Sequence, residues 1–469
     1  MTRGRLFVPA IATAILASLA AYAWPFTIDD AYIPCRYAAN LAAGRGLVWQ
    51  PGDAEPAQGV TSIAWPLILA LVRSVGVRDL PAAAKLLGLA CGLACVAWIL
   101  ARAARSVGGG RVAVLALACL APSLSAAAYS VAGLETSAFT LLVTLAACSA
   151  MRRPGMAGLI AGSSFAVRPE GAVVLIALAA VVPGRRRVRF LAAAVVPVAA
   201  ALLVQWMAFG RLVPDTFHAR AAPPGAGLAY VAGALVPTGA AFLWPLALVA
   251  AARRSLRPMV AVVVALVAAV AWEGGDWMPG WRFLVPVWPL TSLLAAHGAM
   301  VGRVRLGRRR LAFAPLGLLG LGALVGCLST LASLPDVRTA GIERERGAPR
   351  LVAALRRLDA RTVALVDVGY VGWSGFETVD LGGLTDRRIA RAPGVYLDKE
   401  VDEAYLLARR PDAIVLHVEG PRGRGMFPVE RRVASMPAVL RDYRLAVEVQ
   451  RAPTYRYLVL RRSPGSSGG

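Results

Sequence analysis

LFVPAIATAILASLAAYAWPF (residues 6–26) followed at once by TIDDAY (27–32) is the stretch on which the reading of this chain turns. The run from Leu6 to Phe26 is long enough to cross a bilayer, which takes roughly 20 apolar residues. Arg3 and Arg5 precede it, and a basic flank predicts that the N-terminus stays in the cytoplasm. Asp29 and Asp30 then emerge on the far side, at the membrane surface. No small-residue cleavage site follows the apolar run, so it reads as an anchor and not as a signal peptide. Ala31 to Leu41 reads as a short amphipathic helix, closed by the turn residues Gly44-Arg45-Gly46 and Pro51-Gly52. A carboxylate pair pinned between a membrane helix and an interfacial helix is well placed to serve as a base for a lipid-borne substrate. The plain alternative is a solvated loop.

Composition extends this reading to the whole chain. It is 58% hydrophobic with a formal net charge of +24, and its mean hydropathy is +0.61. That apolar share exceeds what soluble domains carry, so the expected class is a polytopic α-helical membrane protein. The positive charge does not point to nucleic acid. Before Leu334 it gathers at Arg102/Arg105/Arg111, Arg152/Arg153, Arg185/Arg186/Arg187/Arg189, Arg253/Arg254/Arg257 and Arg303/Arg305/Arg308/Arg309/Arg310, in short loops between apolar runs. Such clusters are a topology signal.

Candidate spans are 6–26, 84–101, 112–129, 134–150, 156–167, 171–183, 190–209, 235–251, 258–272, 282–300 and 311–331. Residues 62–76 are short for a crossing and read as an interfacial or re-entrant helix, which places every arginine cluster inside. The expectation is about eleven transmembrane helices with interfacial helices, plus a C-terminal extracytoplasmic α/β domain. All ten acids before Leu334 then lie outside or at the outer boundary. The short segments 156–167 and 171–183, broken at Arg168-Pro169-Glu170-Gly171, are an irregularity that membranes tolerate around a cavity; a hairpin with a charged tip is the bland reading.

The expected division is a transmembrane domain over 1–334, with an extracytoplasmic loop 27–61 and the interfacial helix 62–76, then an extracytoplasmic domain over 335–469. In the latter, helices at Leu351–Leu358 and Lys399–Arg410 alternate with strands at Thr362–Asp367, Phe376–Asp380, Asp412–Val418, Leu445–Gln450 and Tyr455–Arg461, an α/β layer pattern. Ser463–Gly469 reads as a disordered tail. Five of the six cysteines sit in apolar runs as small hydrophobes, and none shows zinc spacing.

Thr27-Ile28-Asp29-Asp30-Ala31-Tyr32, Arg36-Tyr37-Ala38, Asn40-Leu41, Gly44-Arg45-Gly46-Leu47-Val48 and Gln58-Gly59-Val60-Thr61-Ser62 with Trp65 resemble a known signature. So do Gly133-Leu134-Glu135-Thr136, Arg168-Pro169-Glu170-Gly171, Gly210 to Arg220, Gly274 to Phe283 and Asp380 to Asp386. They resemble the polytopic bacterial glycosyltransferases of the C superfamily, nearest the branch of the terminal arabinofuranosyltransferases of actinobacterial cell walls. Val60 replaces the usual tyrosine, Asp215 the usual asparagine and Arg220 the usual lysine, and His218 stands near a usual tyrosine. The resemblance implies a multi-pass protein of the bacterial cytoplasmic (inner) membrane. It implies a polyprenyl-phosphate sugar donor and transfer to a hydroxyl of a cell-envelope glycan or glycoconjugate on the extracytoplasmic side.

Chemistry assigns the roles within those motifs. Sugar transfer to a hydroxyl needs a carboxylate to take its proton, for which Asp29 and Asp30 are the catalytic candidates. The departing phosphate needs cations. Arg168, Arg220 and Arg282 suit a bidentate grip, with His218 as a further phosphate or hydroxyl contact. Tyr32, Arg36, Glu135, Glu170, Asp276 and Trp277 are the sugar- or acceptor-binding candidates, with Trp281 a further stacking aromatic; interfacial anchoring or ion pairing is the bland reading of the aromatics and acids. A phosphomonoester leaving group is already a stabilised anion, so a metal is neither required nor excluded, and no cofactor besides the lipid donor is expected. A transporter or flippase of lipid-linked sugars is the alternative from another class; it calls for repeats and mid-bilayer binding residues.

Overall fold

The computed structural model describes residues 4–53, 55–106, 108–120, 123–306, 313–419 and 427–463. Arg3, the Arg308–Arg310 part of the last arginine cluster and the tail from residue 464 lie outside the described residues. Contacts divide the chain into two compact units. The first comprises Met1–Phe26, Ala84–Leu202 and Pro224–Arg338; the second comprises Thr27–Ala83, Leu203–Pro223 and Thr339–Gly469.

The first unit is helical. Each of the expected apolar segments is helical over all or part of its length, but their lengths differ from a simple series of spans. Among the described residues, five helices are long and apolar enough to cross a membrane: Leu80–Ala104, Gly184–Phe209, Arg254–Glu273, Arg282–Arg305 and Ala314–Arg357. The number rises to seven if each bent pair is one span, Gly109–Leu120 with Leu124–Ser130 (74°) and Ala226–Leu235 with Ala240–Ala252 (92°). Thr136–Ser149, Pro154–Val167 and Gly171–Val181 are apolar but shorter than a straight crossing needs. Small residues let helices approach closely here. A Cβ on Gly158 would lie 2.0 Å from the Phe190 carbonyl oxygen, and one on Gly298 1.8 Å from that of Leu246. Side-chain-free contact of this kind is the usual interface of membrane helices.

The second unit is built on a five-stranded sheet: β1 (Thr362–Leu365), β2 (Glu377–Asp380), β3 (Ala413–Glu419), β4 (Tyr443–Ala452) and β5 (Tyr455–Arg462). The strand order is β2-β1-β3-β5-β4. β1 runs parallel to both β2 and β3, and β5 pairs antiparallel with β3 and β4. Val363, Ala364 and Leu365 are wholly buried, the continuous apolar run expected of a parallel strand covered on both faces.

Residues 27–83 fall in this unit because their apolar side chains share its core. Ile33, Tyr37, Trp49, Val60 and Ile63 pack in one cluster with Leu351, Leu355, Leu365, Val371 and Val459. Burying each such side chain contributes about 1.5–3 kcal/mol. The polar ties are specific. Trp49 Nε1 donates to Thr378 Oγ1 (2.8 Å) and Gln50 Oε1 accepts from the Thr378 amide (2.5 Å). Gly372 is required there, since a Cβ would lie 2.3 Å from the Trp49 ring. The grouping therefore differs from a division at residue 334: the turn after Phe26 and the loop at 203–223 belong with the sheet. Ala64–Ser74, also in this unit, is a helix of 11 residues, too short for a straight crossing.

Candidate functional site

The twelve candidate residues fall into two groups, one in each unit. Asp29, Asp30, Tyr32, Arg36, His218 and Arg220 belong to the second unit; Glu135, Arg168, Glu170, Asp276, Trp277 and Arg282 belong to the first.

In the second unit, Asp29–Ala31 form a single 3-10 turn leading into the helix Tyr32–Ala42. Asp29 is buried and faces the end of β1. Its Oδ2 accepts from the Gly369 amide (2.6 Å) and its Oδ1 from the Tyr370 amide (3.0 Å). These are first-turn donors of the short helix Val368–Trp373, which have no partner within their own helix. Gly369 is obligatory at this approach, because a Cβ would lie 2.0 Å from the Asp29 carbonyl oxygen. Burial pushes the Asp29 carboxyl up to about 7, and the Asp367 carboxylate adds to it; Arg344 and the two amides oppose.

Asp30 points elsewhere. Its Oδ2 pairs with the Arg220 guanidinium at 2.7 Å, and both side chains keep partial solvent access. Arg220 follows the helix Asp215–Ala219, which a buried ion pair holds in place. Both Asp215 carboxylate oxygens accept from Arg211 Nη1 at 2.8 Å, and Oδ2 also accepts from the Gln58 amide (3.0 Å). The charge that Asp215 brings in place of asparagine is thus met by Arg211. Asp29 and Asp30, though adjacent, have different environments: one is bound by backbone amides, the other by a partly exposed arginine.

The other candidates of this group divide likewise. Arg36 stacks on Trp49 (4.5 Å to the ring centre) and donates to the carbonyls of Gly372 and Phe376, so its guanidinium is engaged by the fold. Tyr32 packs edge-on against Tyr370. The His218 side chain is exposed, and its backbone carbonyl accepts from Lys399 Nζ (2.9 Å).

The loop after β2 closes the same edge of the sheet. Asp380 Oδ1 accepts from the Gly382 and Gly383 amides, and Oδ2 from the Thr385 amide and hydroxyl. Burial raises its carboxyl to about 7 against those bonds. The residues after β1 and β2, the carboxyl ends of parallel strands, are where open α/β sheets commonly bind ligands. Behind this edge, His417 is wholly buried, with Nδ1 on Glu430 and Nε2 3.3 Å from Asp367. Burial opposes its protonation, but Glu430 and Asp367 outweigh it and raise the imidazole to about 10.

In the first unit, Arg168 leaves the helix Pro154–Val167 in extended conformation, ahead of the helix Gly171–Val181. Its buried guanidinium pairs with Glu135 at 3.1 Å and with Glu170, and lies over the Phe283 ring (4.9 Å). Arg282 pairs with Asp276 at 2.7 Å, both side chains almost wholly buried. The loop that follows the helix ending at Glu273 bends at Gly274, Gly275 and Gly280, all with positive φ, and at Trp281 (φ 54°), a left-handed conformation rare outside glycine. Tyr129 anchors it by donating to the Pro279 carbonyl (2.6 Å). Trp277 is 53% exposed.

Sequence reasoning passes over three residues that these geometries involve: Arg211, Lys85 and Lys399. The only signal for the lysines is scarcity. The chain has two among its 51 basic residues, and both are buried. Lys85 Nζ donates to the Trp24 carbonyl (2.6 Å), and Lys399 Nζ to the His218 and Ala392 carbonyls. Burial lowers the Lys399 ammonium from its ordinary value. Among the described residues, no group of three or more His, Cys, Asp or Glu is placed to hold a metal ion.

A family model described as a domain of unknown function, DUF8728, matches residues 340–461. No curated protein matches the sequence significantly. Solved structures do match over nearly its whole length. ArnT from Cupriavidus metallidurans bound to undecaprenyl phosphate superposes with a TM-score of 0.61 at 12% identity, covering 98% of this chain and 99% of that one. The apo ArnT structure gives 0.57 at 12% identity, over 96% and 97%. The chain has the fold of ArnT. That likeness is one of fold and does not distinguish among the sugar-transferase branches that the motifs resemble.

Proposed function

We propose that this protein is a membrane-embedded glycosyltransferase. It moves a sugar, arabinofuranose or a similar one, from a polyprenyl-phosphate donor to a hydroxyl of a cell-envelope glycan or glycoconjugate. We place the reaction on the outer face of the bacterial cytoplasmic membrane, with about eleven crossings when the short and bent helices are counted. The observation that carries the reading is Asp30: a partly accessible carboxylate, paired with Arg220, in the same turn as Asp29, which meets the segment after β1. The fold shared with a protein solved with undecaprenyl phosphate supports the donor class.

In this mechanism Asp30 takes the proton of the acceptor hydroxyl as its oxygen bonds to the anomeric carbon. The bond from that carbon to the phosphate oxygen breaks, and polyprenyl phosphate departs with the electron pair. Arg220 is a guanidinium that a phosphate can draw from Asp30, and Arg168 and Arg282 are proposed as further phosphate contacts. Asp29, already satisfied by two amides, is a positioning residue for Asp30. The sugar-binding roles of Tyr32, Glu135, Glu170, Asp276 and Trp277 belong to the same proposal, as does a hydroxyl contact from His218.

Release of polyprenyl phosphate from a labelled donor by the purified protein tests the reading; a flippase moves the donor but leaves it intact. Screening lipid-linked pentoses and hexoses identifies the sugar. Topology is tested by a periplasmic reporter. Leu334 lies inside the helix Ala314–Arg357, so the fusion belongs after Arg462, where activity is expected. Silence of that fusion overturns the outer placement.

A further inference from the structure

At the opposite edge of the same sheet, the amino ends of β1, β2 and β3, lies an open cleft of about 630 Å³. Its walls come from Arg356 and Ala360 at the end of the long helix, from Arg361 and Thr362 entering β1, from Ser374–Glu377 entering β2, and from Arg410 and Asp412 before β3. Three arginines from three separate segments therefore meet around one cavity. Gathering like charges is unfavourable unless counter-charge is supplied.

The two acids in the wall offset only part of it, and neither pairs with one of the three arginines. Asp412 Oδ2 accepts from the Arg361 and Thr362 amides (2.9 and 3.0 Å), and its Oδ1 faces Arg462 at 3.5 Å. Glu377 accepts from the Thr362 hydroxyl (3.3 Å). Among the described residues neither Arg361 nor Arg410 has an ion-pair partner, and Arg356 makes only a long bond to the Ser374 carbonyl (3.3 Å). Arg410 is also held at a φ of +46°, a conformation that costs about 1–3 kcal/mol outside glycine and concentrates at ligand clamps.

We propose that this cleft binds the phosphate group of a small phosphorylated polyol. Guanidinium forks fit the oxygens of a phosphate, and the polar wall at Thr362, Ser374 and Glu377 suits hydroxyl groups beside it. The cleft lies within the matched segment 340–461 and shares no residue with the Asp29, Asp30 and Asp380 edge. The phosphate can come from a soluble sugar phosphate or from a phospholipid headgroup.

The test uses the full-length protein in phosphatidylcholine nanodiscs, titrated with ribose 5-phosphate by calorimetry. Saturable binding is expected, with ribose alone failing to bind. Arg361→Gln and Arg410→Gln are each expected to weaken it about ten-fold or more with the melting temperature unchanged. Arg410→Glu, which reverses the charge, should abolish it. No saturable binding to the wild type, equal binding of ribose, or unchanged affinity in the variants would overturn the site. Nanodiscs that include phosphatidylglycerol separate the two sources. If they block ribose 5-phosphate in the wild type, a lipid headgroup occupies the cleft; if affinity is unchanged, its ligand is soluble. Both results keep the cleft as a phosphate site.

Discussion

The two charged groups of this molecule satisfy themselves in different ways. In the first unit, charge meets charge: Arg168 sits on Glu135 and Glu170, and Arg282 on Asp276, with both guanidinium groups buried. In the second, Asp215 and His417 also meet opposite charges, but Asp29 and Asp380 rest on backbone amides, Asp29 on Gly369 and Tyr370 and Asp380 on its own loop. Buried ion pairs cost much desolvation and are strongly destabilised when one partner is removed. Amide-held carboxylates fix backbone geometry instead. Asp30 belongs to neither pattern, because its partner Arg220 is a partly exposed side chain.

Asp30→Asn should give the largest effect on this contrast, a turnover loss on the order of 10²–10⁴-fold with the protein folded and donor binding retained. If Asp29→Asn gave the same loss with unchanged melting, the distinction between the two aspartates would fail.

Arg282→Ala comes next. It strands the buried Asp276 carboxylate, at about 3–5 kcal/mol of stability, visible as a lower melting temperature. Removing Asp276 as well should restore much of that stability. If donor binding stays weak in the restored double variant, Arg282 contacts the donor; if it recovers fully, the arginine serves only the fold. Arg282→Lys should recover part of the binding, since lysine lacks the planar fork.

His417 tests the second unit alone. Its folded pKa, about 10, lies above its ordinary value of 6.5. The stability it contributes is therefore complete below pH 6.5 and is lost as pH rises through 10. His417→Gln should lower the melting temperature and flatten that decline, as measured by thermal unfolding between pH 6 and 10. An unchanged slope would remove the imidazolium from the account.

The smallest effect is expected for Asp29→Asn on stability. The amide NH₂ cannot accept, so one of the two backbone donors loses its partner, at about 1–3 kcal/mol. Loss of a carboxyl whose pKa is raised also removes a contribution that weakens as pH climbs from 3.8 to about 7. The destabilisation should thus be greater at pH 5 than at pH 8.

Much of this is legible in the residues themselves. The strands of the sheet are short apolar or alternating runs bounded by turns, and all five fall where that pattern puts them. The span count is less so, because hydropathy does not show where a helix breaks: Leu235 to Ala240 lies in an apolar stretch that bends sharply. The site candidates announce themselves as charged residues in an apolar chain, but their partners do not. Asp29 meets Gly369 across 340 positions, and Arg36 is committed to Gly372 across 336; no local spacing encodes either contact. Arg211 and Asp215 are an exception, an (i, i+4) pair whose spacing alone suggests the contact.

The account rests on Asp30 as a base in transfer from a lipid phosphate. Its most direct test is single-turnover release of polyprenyl phosphate from a labelled donor, with acceptor present, by wild type and by Asp30→Asn. The account predicts release coupled to glycoside formation in the wild type, and a slowing of at least about 10²-fold in the variant with donor still bound. Equal release rates in the two proteins would contradict it.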